Sequence, residues 1–250
     1  MLNRMTAAIS RLTDFCSGRL KQRTLLWIFI PLILGSYFGS LILAIWMFPG
    51  PFDWRSRSMS KLLYPNNNPL FHEVASAGVA LAGALTIPFA GYIGRRLRLI
   101  SPVPAGIGTF AFGAGAISLI LGALIVAHPF LHEMFARGAA ICLGLGMLAF
   151  YLCTLSALFV PSHDGCYPRQ VFRAWSVTVL PALLVLVLRL LTAAHFRWSN
   201  PVYGALENRS LWHLGFWEWI GSITVFLFLL SAVLFLPKKE EFEFVGKSEP

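Results

Sequence analysis

Charge is what this sequence has least of. Lys, Arg, Asp and Glu make up 12% of its 250 residues, about half the share of an ordinary soluble domain. Acids are scarcer than bases, 11 against 20, which leaves a net charge of +9. There is no hydrophilic stretch long enough for a separate soluble domain. Cysteine is sparse: Cys16, Cys142, Cys153 and Cys166 form no CxxC pair. A disulfide framework and a thiolate zinc site are both argued against by that spacing. No HExxH, P-loop, GxSxG, CxxCH or dinucleotide fingerprint occurs in a supporting context. The contiguous Ser162-His163-Asp164 reads as a turn, because triad members are rarely neighbours in sequence.

Apolar sequence takes the place of these. The chain is 57% hydrophobic, with 21 Phe and 8 Trp, residues that suit lipid-facing surfaces and interfacial belts. A membrane-spanning helix needs about 20 mostly apolar residues. Six segments qualify, at 25–48, 74–93, 104–127, 138–160, 171–194 and 214–236. Short connections make neighbouring helices antiparallel. The expected fold is therefore all-α, a polytopic six-helix transmembrane bundle in one membrane domain over 25–236. A cytoplasmic basic segment (1–24) precedes it and a charged cytoplasmic tail (237–250) follows.

The basic residues flank the apolar segments, where they set topology and meet anionic headgroups rather than nucleic acid. With the N-terminus inside, thirteen Lys and Arg fall on the inner side and six on the outer, and Arg189 lies within a span. That asymmetry predicts both ends inside. Met5, Ala8, Ile9, Leu12 and Phe15 recur at helical spacing between Arg4, Arg11 and Arg19. The pattern suits a short amphipathic helix in the inner headgroup layer. The run after it is too long for a cleavable signal peptide and has no small-residue cleavage site. Ser76, Ala80 and Ala84, and likewise Ala114, Ser118 and Gly122, recur every four residues, a spacing that lets backbones approach.

Polar chemistry gathers on one side. His72, His128, His132, His195 and His213 all fall at the outer boundary on this topology, with Asp53, Glu73, Glu133 and Glu218 at the same level. Imidazoles and carboxylates can ligate zinc and activate a water, and facing histidines can ligate haem. Against a metal site, Pro129 breaks the helix between His128 and His132. Histidine is also at home at an interface, with an apolar body and a polar tip. Arg189, about six residues inside the fifth span, calls for a partner or for snorkelling to the interface. Glu218 is its first candidate partner by depth and Glu133 its second.

The first outer loop is dense in signals. Pro49-Gly50-Pro51 and Pro65-Asn66-Asn67-Asn68-Pro69 impose turns, and Phe52, Trp54 and Tyr64 suit headgroup level. Arg55, Arg57 and Lys61 can meet phosphates. Asp53-Trp54-Arg55, Met59-Ser60-Lys61-Leu62 and Asn68-Pro69 resemble the first outer loop of DRAM/Frag/Sfk-type six-span proteins and related bacterial membrane families of unknown function. His132 near the fourth span and Glu218-Trp219 at the sixth are similar too. The chain departs where members carry an acid in a Ser-Glu-Leu or Ser-Asp-Leu motif, since Lys61 stands there. The resemblance implies lipid-linked work, such as phospholipid distribution or remodelling of lipid anchors, and suits a multi-pass protein of a bacterial inner membrane.

Three functions fit. A non-enzymatic lipid binder would engage anionic headgroups through Arg55, Arg57, Arg189 and Glu218. An accessory subunit would bury its small-residue faces and Trp212, Trp217 and Trp219 against protein partners in the membrane. A metal-dependent lipid hydrolase would use some of His72, His128, His132, His195 and His213. The first reading needs no cofactor. Protein purified in mild detergent, never exposed to chelator, should accordingly carry no stoichiometric metal and show no Soret band; either signal would move the assignment to the histidines.

Overall fold

Lipid offers backbone N–H and C=O groups no partner, so a spanning chain has to satisfy them internally. The structure, a computed structural model, describes residues 13–15, 17–55, 57–157, 170–177 and 214–236. Among these residues the regular structure is helical, with no strand. Five helices are long and apolar enough to cross a membrane: α1 (Gln22–Trp46), α3 (His72–Leu97), α4 (Pro102–Leu124), α5 (Pro129–Ala157) and α6 (Leu214–Phe235). A short helix, α2 (Ser60–Leu63), lies in the loop between α1 and α3. By composition and architecture this is an integral membrane protein.

The helix starts follow from local chemistry. Pro102 and Pro129 open α4 and α5, where a missing N–H costs nothing and a fixed φ suits the first turn. α5 consequently begins nine residues before the apolar run at 138. Its first turns carry His132, Glu133 and Arg137, residues that hydropathy assigned to the preceding loop. α1 is less regular. It widens into π-helical turns at Leu25–Phe29 and Gly35–Gly39, a form that usually occurs as single turns within α-helices.

Close backbone approaches fix the packing. A Cβ on Gly83 would lie 2.8 Å from Ile120 Cγ1, and one on Gly94 would collide with Thr109, so α3 and α4 run antiparallel. Gly108 faces Phe150, Gly115 faces Leu143, and Gly122 faces Phe135 and Ala136, which makes α4 and α5 antiparallel as well. α1 meets α3 where Gly78 touches the Ser36 carbonyl and the Ser40 side chain. The expected stripe of Ser76, Ala80 and Ala84 sits beside this contact, while the closest approaches use the glycines between its members. α6 returns to α1: Gln22 Nε2 donates to the Val233 carbonyl at 2.5 Å, and Tyr37 OH lies 2.7 Å from Ser222 Oγ.

The main core gathers aromatic residues, with Phe112, Phe150, Trp175 and Phe228 all fully buried. Trp175 and Phe228 have ring centroids 4.5 Å apart, within the range of favourable aromatic pairs. Trp46, Phe110, Phe130 and Trp27 are 83%, 80%, 77% and 74% exposed, an outer surface suited to acyl chains rather than water. Of the expected terminal amphipathic helix, residues 1–12 lie outside the described residues. Phe15 packs on Phe29 of α1 at 5.9 Å. The tail 237–250 also lies outside them.

The glycine contacts yield a paired test. A Cβ on Gly146 would lie 2.8 Å from the Phe112 backbone nitrogen, whereas one on Gly144 meets nothing within 4 Å. Gly146→Ala should cost about 1–3 kcal/mol, as overpacking does. Gly144→Ala should leave stability unchanged or slightly raised. Unfolding in detergent–SDS mixtures measures both.

Candidate functional site at the loop end of the bundle

The connection between α1 and α3 folds down onto the start of α6. Its turns follow from local chemistry: Gly50 takes φ +98°, a region that glycine enters without penalty. The Arg55 N–H donates to Asp53 Oδ1 at 3.0 Å and the Arg57 N–H to the Asp53 carbonyl at 2.9 Å. Aspartate commonly shapes turns through such local bonds. Gly215 at the start of α6 lies so close to the loop that a Cβ there would collide with the Arg57 carbonyl. Trp54 stacks on Phe216, with centroids 6.2 Å apart.

Glu218 is the anchor. Its Oε2 accepts from the backbone N–H of Met59. Met59 and Ser60 are the N-cap and first residue of α2, which has no side-chain cap of its own. The first N–H groups of a helix lack intrahelical partners. A carboxylate supplied by a helix 159 residues away in sequence fills that need and suits the positive end of the dipole. Below it, Ser222 donates to the Glu218 carbonyl at 2.7 Å, and Tyr37 OH sits between Ser222 Oγ and Met59 Sδ, the latter at 3.5 Å.

A second polar group lies between the loop and α5. Asn68 is fully buried and its amide donates to the carbonyls of Ala44 and Leu62 at 3.3 and 3.2 Å. His132 is 3% exposed, and its Nδ1 lies 2.7 Å from the Gly122 carbonyl. Because a carbonyl only accepts, Nδ1 carries the proton. Tyr64 covers the His132 ring edge-on at 4.9 Å. Burial, with the charge of Glu133 adding to it, holds the Tyr64 phenol above its ordinary pKa. Asn68 Oδ1 and His132 Nε2 are buried acceptors without a partner among the described residues.

The residues singled out from the sequence divide accordingly. Glu218 meets the loop backbone; Arg189 lies outside the described residues, so the expected pair is not described. Arg55 is exposed, 5.6 Å from the Trp54 ring centre, and Arg57 lies 5.4 Å from that of Phe48. His72 Nδ1 is 3.1 Å from the Asn68 carbonyl, His128 is exposed, and His132 is buried. His195 and His213 lie outside the described residues. Among the described residues no three of His, Cys, Asp and Glu converge on one point. Tyr37 and Ser222 had not been singled out, and Met59 and Asn68 had entered only as members of loop motifs, without these partners. The one signal for Ser222 was its position a helical turn after Glu218. Compared with family models, curated proteins and solved structures, the chain matches none.

The anchor can be tested by charge and by shape. Glu218→Ala removes the acceptor and should cost about 1–3 kcal/mol, the penalty of a buried donor left unsatisfied. Glu218→Gln keeps an acceptor oxygen and should recover most of that loss. Were the two variants equally unstable, the acceptor role would be wrong.

Proposed function

We propose that the chain is a six-span, non-enzymatic membrane protein that binds or organises lipid at its loop end. The span count is supported by direction. Residues 170–177 sit beside the far ends of α5 and α6: Tyr151 OH is 3.1 Å from Ser176 Oγ, and Trp175 Nε1 donates to Ser231 Oγ at 3.0 Å. α6 starts at the loop end, against Arg57 and Met59. The apolar run at 171–194, which continues from these residues in sequence, is the proposed fifth span. The bias of thirteen basic residues against six argues for termini inside and the loop outside. A bacterial inner membrane and a likeness to the DRAM/Frag/Sfk-type proteins belong to the same proposal.

The observation that carries the lipid reading is the fastened loop. Arg55 and Arg57 sit on aromatic rings at the rim, and neither belongs to an ion pair among the described residues. Rings at headgroup depth with guanidinium groups beside them make a surface for phosphodiesters. A loop pinned to α6 loses little further entropy on binding. Glu218 serves this surface by holding it rather than by touching lipid. The accessory-subunit reading draws on α1, where a Cβ on Gly35 or Gly39 would meet nothing within 4 Å and most of the helix surface is open. A protein partner on that face would co-purify in stoichiometric amount.

The test is lipid retention. Full-length protein extracted in mild detergent should hold anionic phospholipid adducts in native mass spectrometry. The double variant Arg55→Gln, Arg57→Gln should lose roughly tenfold in affinity, equivalent to about 1.4 kcal/mol, with folding unchanged. Unaltered retention would count against the loop as the lipid surface.

A further inference from the structure

The opposite end of the bundle holds a second concentration of charge. The turn at Ser17 and Gly18 presses on α3 backbone to backbone. Gly18 has φ +65°, and a Cβ on it would lie 2.3 Å from the Pro88 carbonyl oxygen. A Cβ on Gly91 would lie 2.4 Å from the Ser17 carbonyl. No other side chain fits either position, so the approach to α1 is clamped to α3 just before its basic end. Arg95 Nη2 donates to the Gly18 carbonyl and secures the clamp.

The clamp brings cations together. Arg19 and Arg95 lie within Coulombic reach of each other, as do Arg95 and Arg96. The Arg96 guanidinium sits over the Tyr92 ring, 3.5 Å from its centre. Lys21, Arg23 and Arg98 are exposed at the same end. Beside Arg19, Lys21, Arg23, Arg95 and Arg98 the described residues of this end offer one acid, Asp14, 3.7 Å from Arg19. Holding like charges close costs free energy that a bound anion would recover.

From this juxtaposition we infer that the clamp end is a binding site for a phosphate-bearing anion, gripped by Arg19 and Arg95 and surrounded by Lys21, Arg23 and Arg98. Guanidinium groups match phosphate oxygens in pairs. Leu99, 61% exposed directly after Arg98, gives the site an apolar edge suited to a molecule that is anionic at one end and apolar at the other. An anionic phospholipid of the adjoining leaflet has that make-up, and free phosphate shares its headgroup chemistry. The site is separate from the loop-end surface and stands or falls without it.

Full-length protein in mild detergent would be titrated with phosphatidylglycerol, with phosphatidylcholine and with inorganic phosphate, followed by native mass spectrometry and thermal melting. Phosphatidylglycerol should bind and raise the melting temperature while phosphatidylcholine does not. The variant Arg19→Gln, Arg98→Gln should weaken that binding about tenfold, the scale of one or two charged hydrogen bonds. Arg137→Gln, at the other end, should not. Competition by millimolar inorganic phosphate, lost in the same double variant, would assign the site to a soluble anion instead of a lipid. Equal binding of the two lipids, or a double variant that binds like the parent, overturns the proposal. Should the double variant not fold, salt dependence of the parent decides: affinity has to fall steeply as the screening length shrinks to about 3 Å at 1 M.

Discussion

A carboxylate that accepts from a loop amide organises the loop end of this protein. Glu218 closes the start of α2, and α2 in turn sets Met59, Leu62 and Leu63 into the small core shared with Leu41, Ala44, Ala75, Val79 and Ala123. The carbonyl of Leu62 and that of Ala44 then hold Asn68, and the Asn68 carbonyl receives the first amide of α3. The order α6, α2, Asn68, α3 is a chain of dependence. Each member satisfies a backbone group that lipid would leave unpaired.

Much of the architecture was legible because a membrane reads hydropathy almost alone. The span at 74–93 falls inside α3, that at 104–127 overruns the end of α4 by three residues, and the sixth agrees to within one residue. What hydropathy could not see was geometry. His128 and His132 look alike in the sequence, yet one is exposed and the other buried against a carbonyl, because Pro129 starts a helix between them. Depth along the spans suggested Arg189 for Glu218. Depth carries no record of a backbone amide in a loop 159 residues distant, and that amide holds the carboxylate in place.

Small residues show the same limit. A four-residue spacing marked Ser76, Ala80 and Ala84, but contact distance depends on which side of a helix faces a neighbour, and Gly78, Gly83, Gly91 and Gly94 carry the close approaches. The two widened turns of α1 left no pattern in composition. The polar groups that matter most, Tyr37, Ser222 and Asn68, acquire meaning through their tertiary partners.

The bonds between α1 and α6 have a temporal side. Gln22 and Val233 are 211 residues apart, and at 5–20 residues per second of synthesis the first helix is made about 10–40 s before that partner. Through this interval Gln22 lacks the carbonyl, and Tyr37 the Ser222 hydroxyl, that they later meet. These contacts therefore form only after α6 has been made. α6 closes onto α1, and a chain truncated before α6 would leave Gln22 and the Met59 amide waiting for partners that never arrive.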